Sequence, residues 1–177
     1  GLNAAKSVSL SLGVPFVGVN HMEAHVCANY ISSAELEPPF LCLVVSGGHS
    51  HIVNVKDYTD FEVIGRTRDD AAGEAFDKIA RTIGFDYPGG VKIDLASKEG
   101  NPHAYALPRP KVEGSEFDFS FSGLKTHVIN LVHNAEQKGI EINANDIAAS
   151  FQYTICDILA EKTVEALKRS GQKNLVV

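Results

Sequence analysis

The sequence predicts a mixed α/β architecture. Three observations carry that expectation. Apolar residues recur at helical spacing in separate stretches, three short apolar runs between residues 40 and 67 are joined by turn-rich connections, and the chain closes on a further apolar run at 174–177.

Each element follows from its local signals. Leu2, Ala5, Val8 and Leu12 share one helix face, Gly13 stops that helix, and Pro15 blocks its continuation. Residues 16–19 form a short apolar run that reads as a buried strand. Asn20 is placed to cap a helix reaching about residue 33, with Glu23 as its capping-box partner. The polar, Pro-containing stretch 35–39 marks a boundary between subdomains. Runs 40–45, 51–55 and 61–67 follow, separated by Ser46-Gly47-Gly48-His49-Ser50 and by Lys56-Asp57-Tyr58-Thr59-Asp60. Connections this short predict antiparallel hairpins. The period then changes. Ala72, Ala75, Phe76, Ile79, Ala80 and Ile83 predict an amphipathic helix, capped by Asp69 or Asp70 and ended by Gly84. Residues 86–120 are loop-rich, with a short helix expected at 94–98. A helix over 123–137 stops at Gly139, and a last helix runs from Asn145-Asp146 to Gly171. Residues 174–177 read as the start of a buried strand. With no initiator Met and a start inside a helix, the expectation is a fragment of a longer protein.

Composition narrows the function. Of 177 residues, 44% are hydrophobic and 21% charged, which excludes a fibre or a disordered tail. Lys and Arg total 16 against 22 Asp and Glu, a net charge of −6, so bulk electrostatics do not drive nucleic-acid binding. A local basic patch or a partner subunit remains open. The longest apolar run, 40–45, is too short to span a bilayer, and the first residues lack the pattern of a signal peptide. Three cysteines without CxxC spacing argue against a disulfide framework or a zinc ribbon and point to a reducing cytoplasm.

Five segments carry chemistry. His21 and His25, at i and i+4, share a helix face and suit one divalent metal, although a surface pair reads the same way. Glu23, two residues after His21, lies off that face and cannot act as a zincin base. Ser46-Gly47-Gly48-His49-Ser50 reads as a plain turn or as a phosphate cradle built from main-chain N–H groups. Asp77 lies one turn beyond Gly73 on the polar face of its helix, as a solvated acid or a ligand contact. Gly89-Gly90 with Asp94 offers a flexible turn and a carboxylate for hydroxyl groups. Finally, Phe117, Phe119 and Phe121 alternate with small polar residues near Arg109, Lys111, Lys125 and His127. They form either one packed aromatic face or a basic, aromatic surface.

Together VNHMEAH (19–25), VVSGGHS (44–50), DDAAGEAFDKIAR (69–81), DYPGG (86–90), PRP (108–110) and FDFSFSGLKT (117–126) resemble the tRNA threonylcarbamoyladenosine transferase family, formerly described as O-sialoglycoprotein endopeptidases. The resemblance implies the actin, hexokinase and Hsp70 ATPase fold, with ribonuclease H-like α/β subdomains, incomplete here at both ends. Residues 1–36 would end the first subdomain and carry the metal-ligand helix. Residues 37–177 would form most of the second, with a helical insertion. The implied activity is transfer of threonylcarbamoyl from threonylcarbamoyl-adenylate to N6 of adenosine 37 in tRNA, with the fragment inactive alone. By the same resemblance, His21 and His25 hold one divalent metal, usually given as iron with zinc as an alternative. Val44, Val45, Ser46, Gly47, Gly48, Asp77, Gly90 and Asp94 bind the adenylate, ATP or AMP. The third metal ligand and a second nucleotide loop would lie beyond residue 177. No catalytic base is assigned. The implied partners are tRNA, a shorter paralogue and a small ATPase, in the cytoplasm and without a membrane. The alternatives are a metal-dependent glycoprotease and a non-catalytic nucleotide-binding scaffold.

Overall fold

Residues 1–177 are all described by the computed structural model, and they divide into two units, Gly1–Leu36 and Glu37–Val177. In the first unit, α1 (Leu2–Leu12) ends at Gly13, whose φ of 64° is the left-handed turn that glycine adopts without strain. The helix buries none of its residues. The run at 16–19 is not a strand. It pairs with no neighbour, and Val17 and Val19 are exposed. An extended segment without a ladder partner leaves its N–H and C=O groups to water, so apolar composition alone does not make a strand. The helix expected from Asn20 to about residue 33 is interrupted at Ala28, giving α2 (His21–Cys27) and a single turn, α3 (Asn29–Ser32).

The second unit is built on a four-stranded sheet of order β3-β2-β1-β4, comprising β1 (Phe40–Val45), β2 (Ser50–Asp57), β3 (Asp60–Arg66) and β4 (Leu175–Val176). The two expected hairpins form, with Phe40 opposite Val55 and Val45 opposite Ser50. β4 pairs parallel to β1, Leu41 with Leu175. The strand expected to start within 174–177 is present as these two residues, but they are not buried, Leu175 being 39% exposed. β1 is buried up to Val44. Burial there pushes the Cys42 thiol up to about 11, so it is an inert apolar packing group.

Four helices complete the unit, α4 (Ala72–Thr82), α5 (Gly89–Ser97), α6 (Ser122–Lys138) and α7 (Ala144–Ser170); α7 packs on β1 and β2, and α5 packs on α4 and α7. Leu41, Leu43 and Ile52 of the sheet share one core with Ile79, Ile93, Leu124 and Phe151 of the helices. Phe76 meets Phe151 edge to face, 5.2 Å between centroids. No helix is long and apolar enough to cross a membrane.

One local expectation is corrected. Neither Asp69 nor Asp70 caps α4. Its first N–H is satisfied by the buried Ser50 hydroxyl, which accepts from Ala72 N at 3.0 Å. Asp69 instead accepts from Phe121 N at 2.8 Å and Ser122 N at 3.2 Å, stabilising the start of α6 with a carboxylate. Asp70 pairs with Lys78 and Lys125. Of the two readings left open for the aromatic run, the packed aromatic face forms and the basic, aromatic surface does not. Phe119 and Phe121 stack at 5.9 Å, fully buried, and no base can reach them. Arg109 pairs with Asp157 and Glu161 and Lys125 with Asp70, so these charges serve the fold.

Asp118, 4% exposed, joins this loop to the sheet by accepting from Arg66 N at 2.8 Å and from the Arg68 guanidinium. Burial pushes its carboxyl up, but these donors outweigh burial and hold it below the ordinary carboxylate range. A folded-state pKa below the unfolded value near 3.9 stabilises the fold above about pH 4, and that stability is lost as pH falls through the folded pKa. Asp118→Asn is therefore expected to flatten the acid limb of the stability curve below about pH 4. Denaturant titrations at several pH values check this, and an unchanged acid slope would refute it.

Candidate metal pair and glycine-turn site

The histidine pair depends on a helix start. Asn20 Oδ1 accepts from Met22 N at 2.9 Å and from Glu23 N at 3.3 Å, which fixes the first turn of α2. One turn then brings the exposed His21 and His25 rings edge to face, 4.5 Å between centroids, with their Nε2 atoms 3.2 Å apart. Metal–nitrogen bonds of 2.0–2.1 Å place neighbouring ligand nitrogens roughly 3.0–3.4 Å apart, so the pair fits the bite of one divalent ion. Imidazole nitrogens suit iron and zinc alike. No group of three His, Cys, Asp or Glu side chains is placed to hold a metal, and two imidazoles by themselves fall short of the three or more protein ligands usual for a firmly held ion.

In the second unit, Val44 and Val45 end β1 and lead into the glycine turn. Ser46 organises it. Ser46 N donates to His49 O at 2.8 Å, and Ser46 Oγ accepts from His49 N at 3.1 Å and from Gly48 N at 3.4 Å. A Cβ added to Gly47 or Gly48 would meet nothing within 4 Å, and neither residue has a positive φ. The chain's own packing therefore does not demand these glycines, and the bare backbone faces open space. Gly73 is the opposite case. A Cβ there would lie 2.7 Å from Gly47 Cα and 2.8 Å from Ser46 O, and Gly73 N donates to Ser46 O at 3.3 Å. The start of α4 is thus seated flush against the turn, and its first N–H groups are spent on holding it.

Asp77 lies four residues after Gly73, on the same face of α4. Its Oδ1 accepts from Gly89 N at 2.8 Å, which brings Gly90 and the first turn of α5 beside it. Asp94, one turn after Gly90, is exposed. It pairs with Lys98 at 2.9 Å and accepts from Gln152 at 3.3 Å. The Lys98 contact and the Gln152 hydrogen bond hold the Asp94 carboxyl below its ordinary range. The turn, Asp77 and the start of α5 are therefore linked through one helix face.

Sequence reasoning passed over His51. It follows the turn on β2, with its ring 5.7 Å from that of His49 and its Nδ1 buried without a partner. Burial, His49 and Arg66 together push its pKa down, so it is neutral near pH 7. Alternation from His49 along the strand was the available signal.

Comparison with known proteins decides the family. A family model described as tRNA N6-adenosine threonylcarbamoyltransferase (TsaD) matches residues 1–177. The chain belongs to this family. Curated proteins named tRNA N6-adenosine threonylcarbamoyltransferase are 55% identical in Clostridium botulinum (strain Hall) over 94% of the chain, 50% in Clostridioides difficile (strain 630) over 97%, and 51% in Clostridium perfringens (strain SM101) over 95%. These alignments cover 49%, 51% and 50% of the respective relatives, so the chain spans about half the length of the curated threonylcarbamoyltransferases it matches.

Proposed function

We propose that this chain forms part of an enzyme that transfers a threonylcarbamoyl group from threonylcarbamoyl-adenylate to N6 of adenosine 37 in tRNA. The observation that carries the reading is the family match over residues 1–177, which spans both the histidine pair and the glycine turn. The mixed α/β sheet with its packed helices is compatible with the actin, hexokinase and Hsp70 type of fold, which we assign on the same basis. The reading places the enzyme in the cytoplasm with tRNA, a shorter paralogue and a small ATPase as partners.

His21 and His25 would supply two ligands to a divalent ion, iron or zinc. When bound, that ion supplies Lewis-acid polarisation of the adenylate's mixed anhydride. The remaining work falls to the chain. The Gly47-Gly48 backbone admits a phosphate closely because no side chain stands in front of it, and fixed main-chain dipoles favour charge developing on a leaving phosphate. Gly90 and Asp94 present a bare backbone and a carboxylate for the nucleoside. The adenine amine forms the new N–C bond as the C–O bond to phosphate breaks, AMP leaves with the electron pair, and the amine's proton passes to solvent water.

Transfer of threonylcarbamoyl to tRNA by the full-length protein with purified partners tests the reading directly, and no modified adenosine 37 would refute it. Gly47→Val tests the turn. It should weaken AMP binding at least ~10-fold, about 1.4 kcal/mol, because a branched side chain would stand where the phosphate approaches. The denaturation midpoint should hardly move, since the added Cβ meets nothing in the chain. Unchanged AMP affinity by calorimetry would remove the turn from the site.

A further inference from the structure

The transfer reaction needs two ligands at one place. With the donor nucleotide against Gly90 and Asp94, the adenine amine has to reach the donor's carbonyl carbon. A base inside a stacked RNA loop is out of reach, and proteins hold an unstacked base on an exposed aromatic ring. Phe119 and Phe121 cannot supply that ring, because both are fully buried. Three tyrosines of the second unit are exposed. Tyr58 follows β2 at the end away from the glycine turn, and the eight residues Ser50–Asp57 put about 23 Å of strand between them. Tyr153 of α7 is already held edge to face by His103, 4.9 Å between centroids. Tyr87 stands three residues before Gly90, is 81% exposed, and makes no hydrogen bond or ring contact. α5 continues the same surface. At about 100° per residue, its accessible arc runs Gly90, Asp94, Lys98, Val91, Leu95, Lys92, opposite the buried Ile93. Val91 and Leu95 are each more than half exposed. An apolar stripe therefore adjoins the nucleotide residues, and the exposed, unpaired Lys92 borders it.

We propose that Tyr87 is the platform for the acceptor base: its ring stacks on the unstacked adenine 37 of the tRNA anticodon loop and holds it beside the donor at Gly90 and Asp94, with Val91 and Leu95 as an apolar floor. The proposal rests on the functional reading above for the acceptor and for the role of Gly90 and Asp94. An RNA loop fits this surface better than a protein partner does. A free ring, an apolar stripe and an unpaired cation match a base, a ribose and a phosphate together, and the surface is continuous with residues that take a nucleotide. In a chain of net charge −6, a cation left without an acid at this spot also favours a phosphate over an acidic surface of its own.

The test titrates an anticodon stem–loop RNA, carrying either adenosine or an abasic site at position 37, into the full-length protein with its purified partners. In the parent, the abasic site should weaken binding at least ~10-fold, the loss expected when one stacked base is removed. Tyr87→Ala should weaken the adenosine RNA by a similar factor and leave the abasic RNA within about 2-fold, so that the two bind alike. Tyr87→Phe keeps the ring and should stay within about 3-fold of the parent for both. The AMP dissociation constant and the denaturation midpoint of Tyr87→Ala should hardly move, because the side chain is exposed and lies outside the nucleotide contacts. Tyr87→Ala that still prefers adenosine to the abasic site overturns the proposal. Equal weakening of both RNAs overturns it too, since that marks a contact with something other than the base. Tyr87→Phe as poor as Tyr87→Ala shows that the hydroxyl and not the ring matters, and the platform falls. A parent that transfers threonylcarbamoyl yet binds both RNAs alike overturns the platform alone, whereas a parent that transfers nothing overturns the functional reading.

Discussion

On the proposed reading, His25→Ala in the full-length protein is expected to lose the divalent metal and, with it, threonylcarbamoyl transfer. The two Nε2 atoms stand 3.2 Å apart on consecutive turns of α2, the spacing at which two imidazoles share one ion. Removing one leaves a single imidazole from this chain. Loss of a residue that merely orients a ligand typically costs 10–100-fold in metal affinity, so loss of the ligand itself should exceed ~100-fold. The helix should survive, because its cap is Asn20 and His25 is exposed. Elemental analysis of the purified variant checks the metal, and circular dichroism checks the fold. His21→Ala should behave alike. Full metal occupancy in either variant would show that the pair is only a surface contact.

Gly100→Ala is expected to be the most damaging single methyl in the second unit. A Cβ at Gly100 would fall 2.0 Å from Asn145 O and 2.4 Å from its carbonyl carbon. These are backbone atoms at the start of α7, and they cannot turn aside as a side chain would. The same joint is tied by Asp146 Oδ1, which accepts from Asn101 N at 2.7 Å. It is tied again by the buried Ser150 hydroxyl, which donates to Asn101 O and accepts from Tyr105 N, both at 3.2 Å. Shifting α7 would strain all of these bonds. Overpacking alone costs about 1–3 kcal/mol, and the strained polar joint should bring the total to about 3 kcal/mol or more. Gly90→Ala is the matching control. A Cβ there meets nothing within 4 Å, so stability should stay level or rise by up to about 1 kcal/mol. Urea denaturation of both variants measures the contrast, and equal midpoints would refute it.

The difference between these two glycines is invisible in the sequence, where both sit in polar, loop-like surroundings. The same holds for Asp69 and Asp70. Their position before an amphipathic stretch made them caps of α4 by local logic, yet the Asp69 carboxylate serves the start of α6, some fifty residues on, and Asp70 bridges Lys78 of α4 and Lys125 of α6. Ser50, read as part of a turn, does the capping instead. α5 was half-legible: its second half has helical composition, but its glycine-rich first turn forms because Asp77 supplies an acceptor from α4. The run at 16–19 was misread because a strand is a relation between segments, and no segment pairs with it.

What the sequence determined by itself was local and periodic. The stripe from Ala72 to Ile83, the glycine stops at Gly13, Gly139 and Gly171, the two hairpins, and the one-turn spacing of His21 and His25 all follow from short-range geometry. Its motifs also carried the family. Tertiary structure decided which residues serve a neighbour far along the chain. It buried Phe119 and Phe121, turned Arg109 and Lys125 to ion pairs, seated Gly73 on the glycine turn and joined Asp77 to Gly89. The physical reason is that a buried donor or charge must find a partner, and only the packed chain determines which partner lies within about 3 Å.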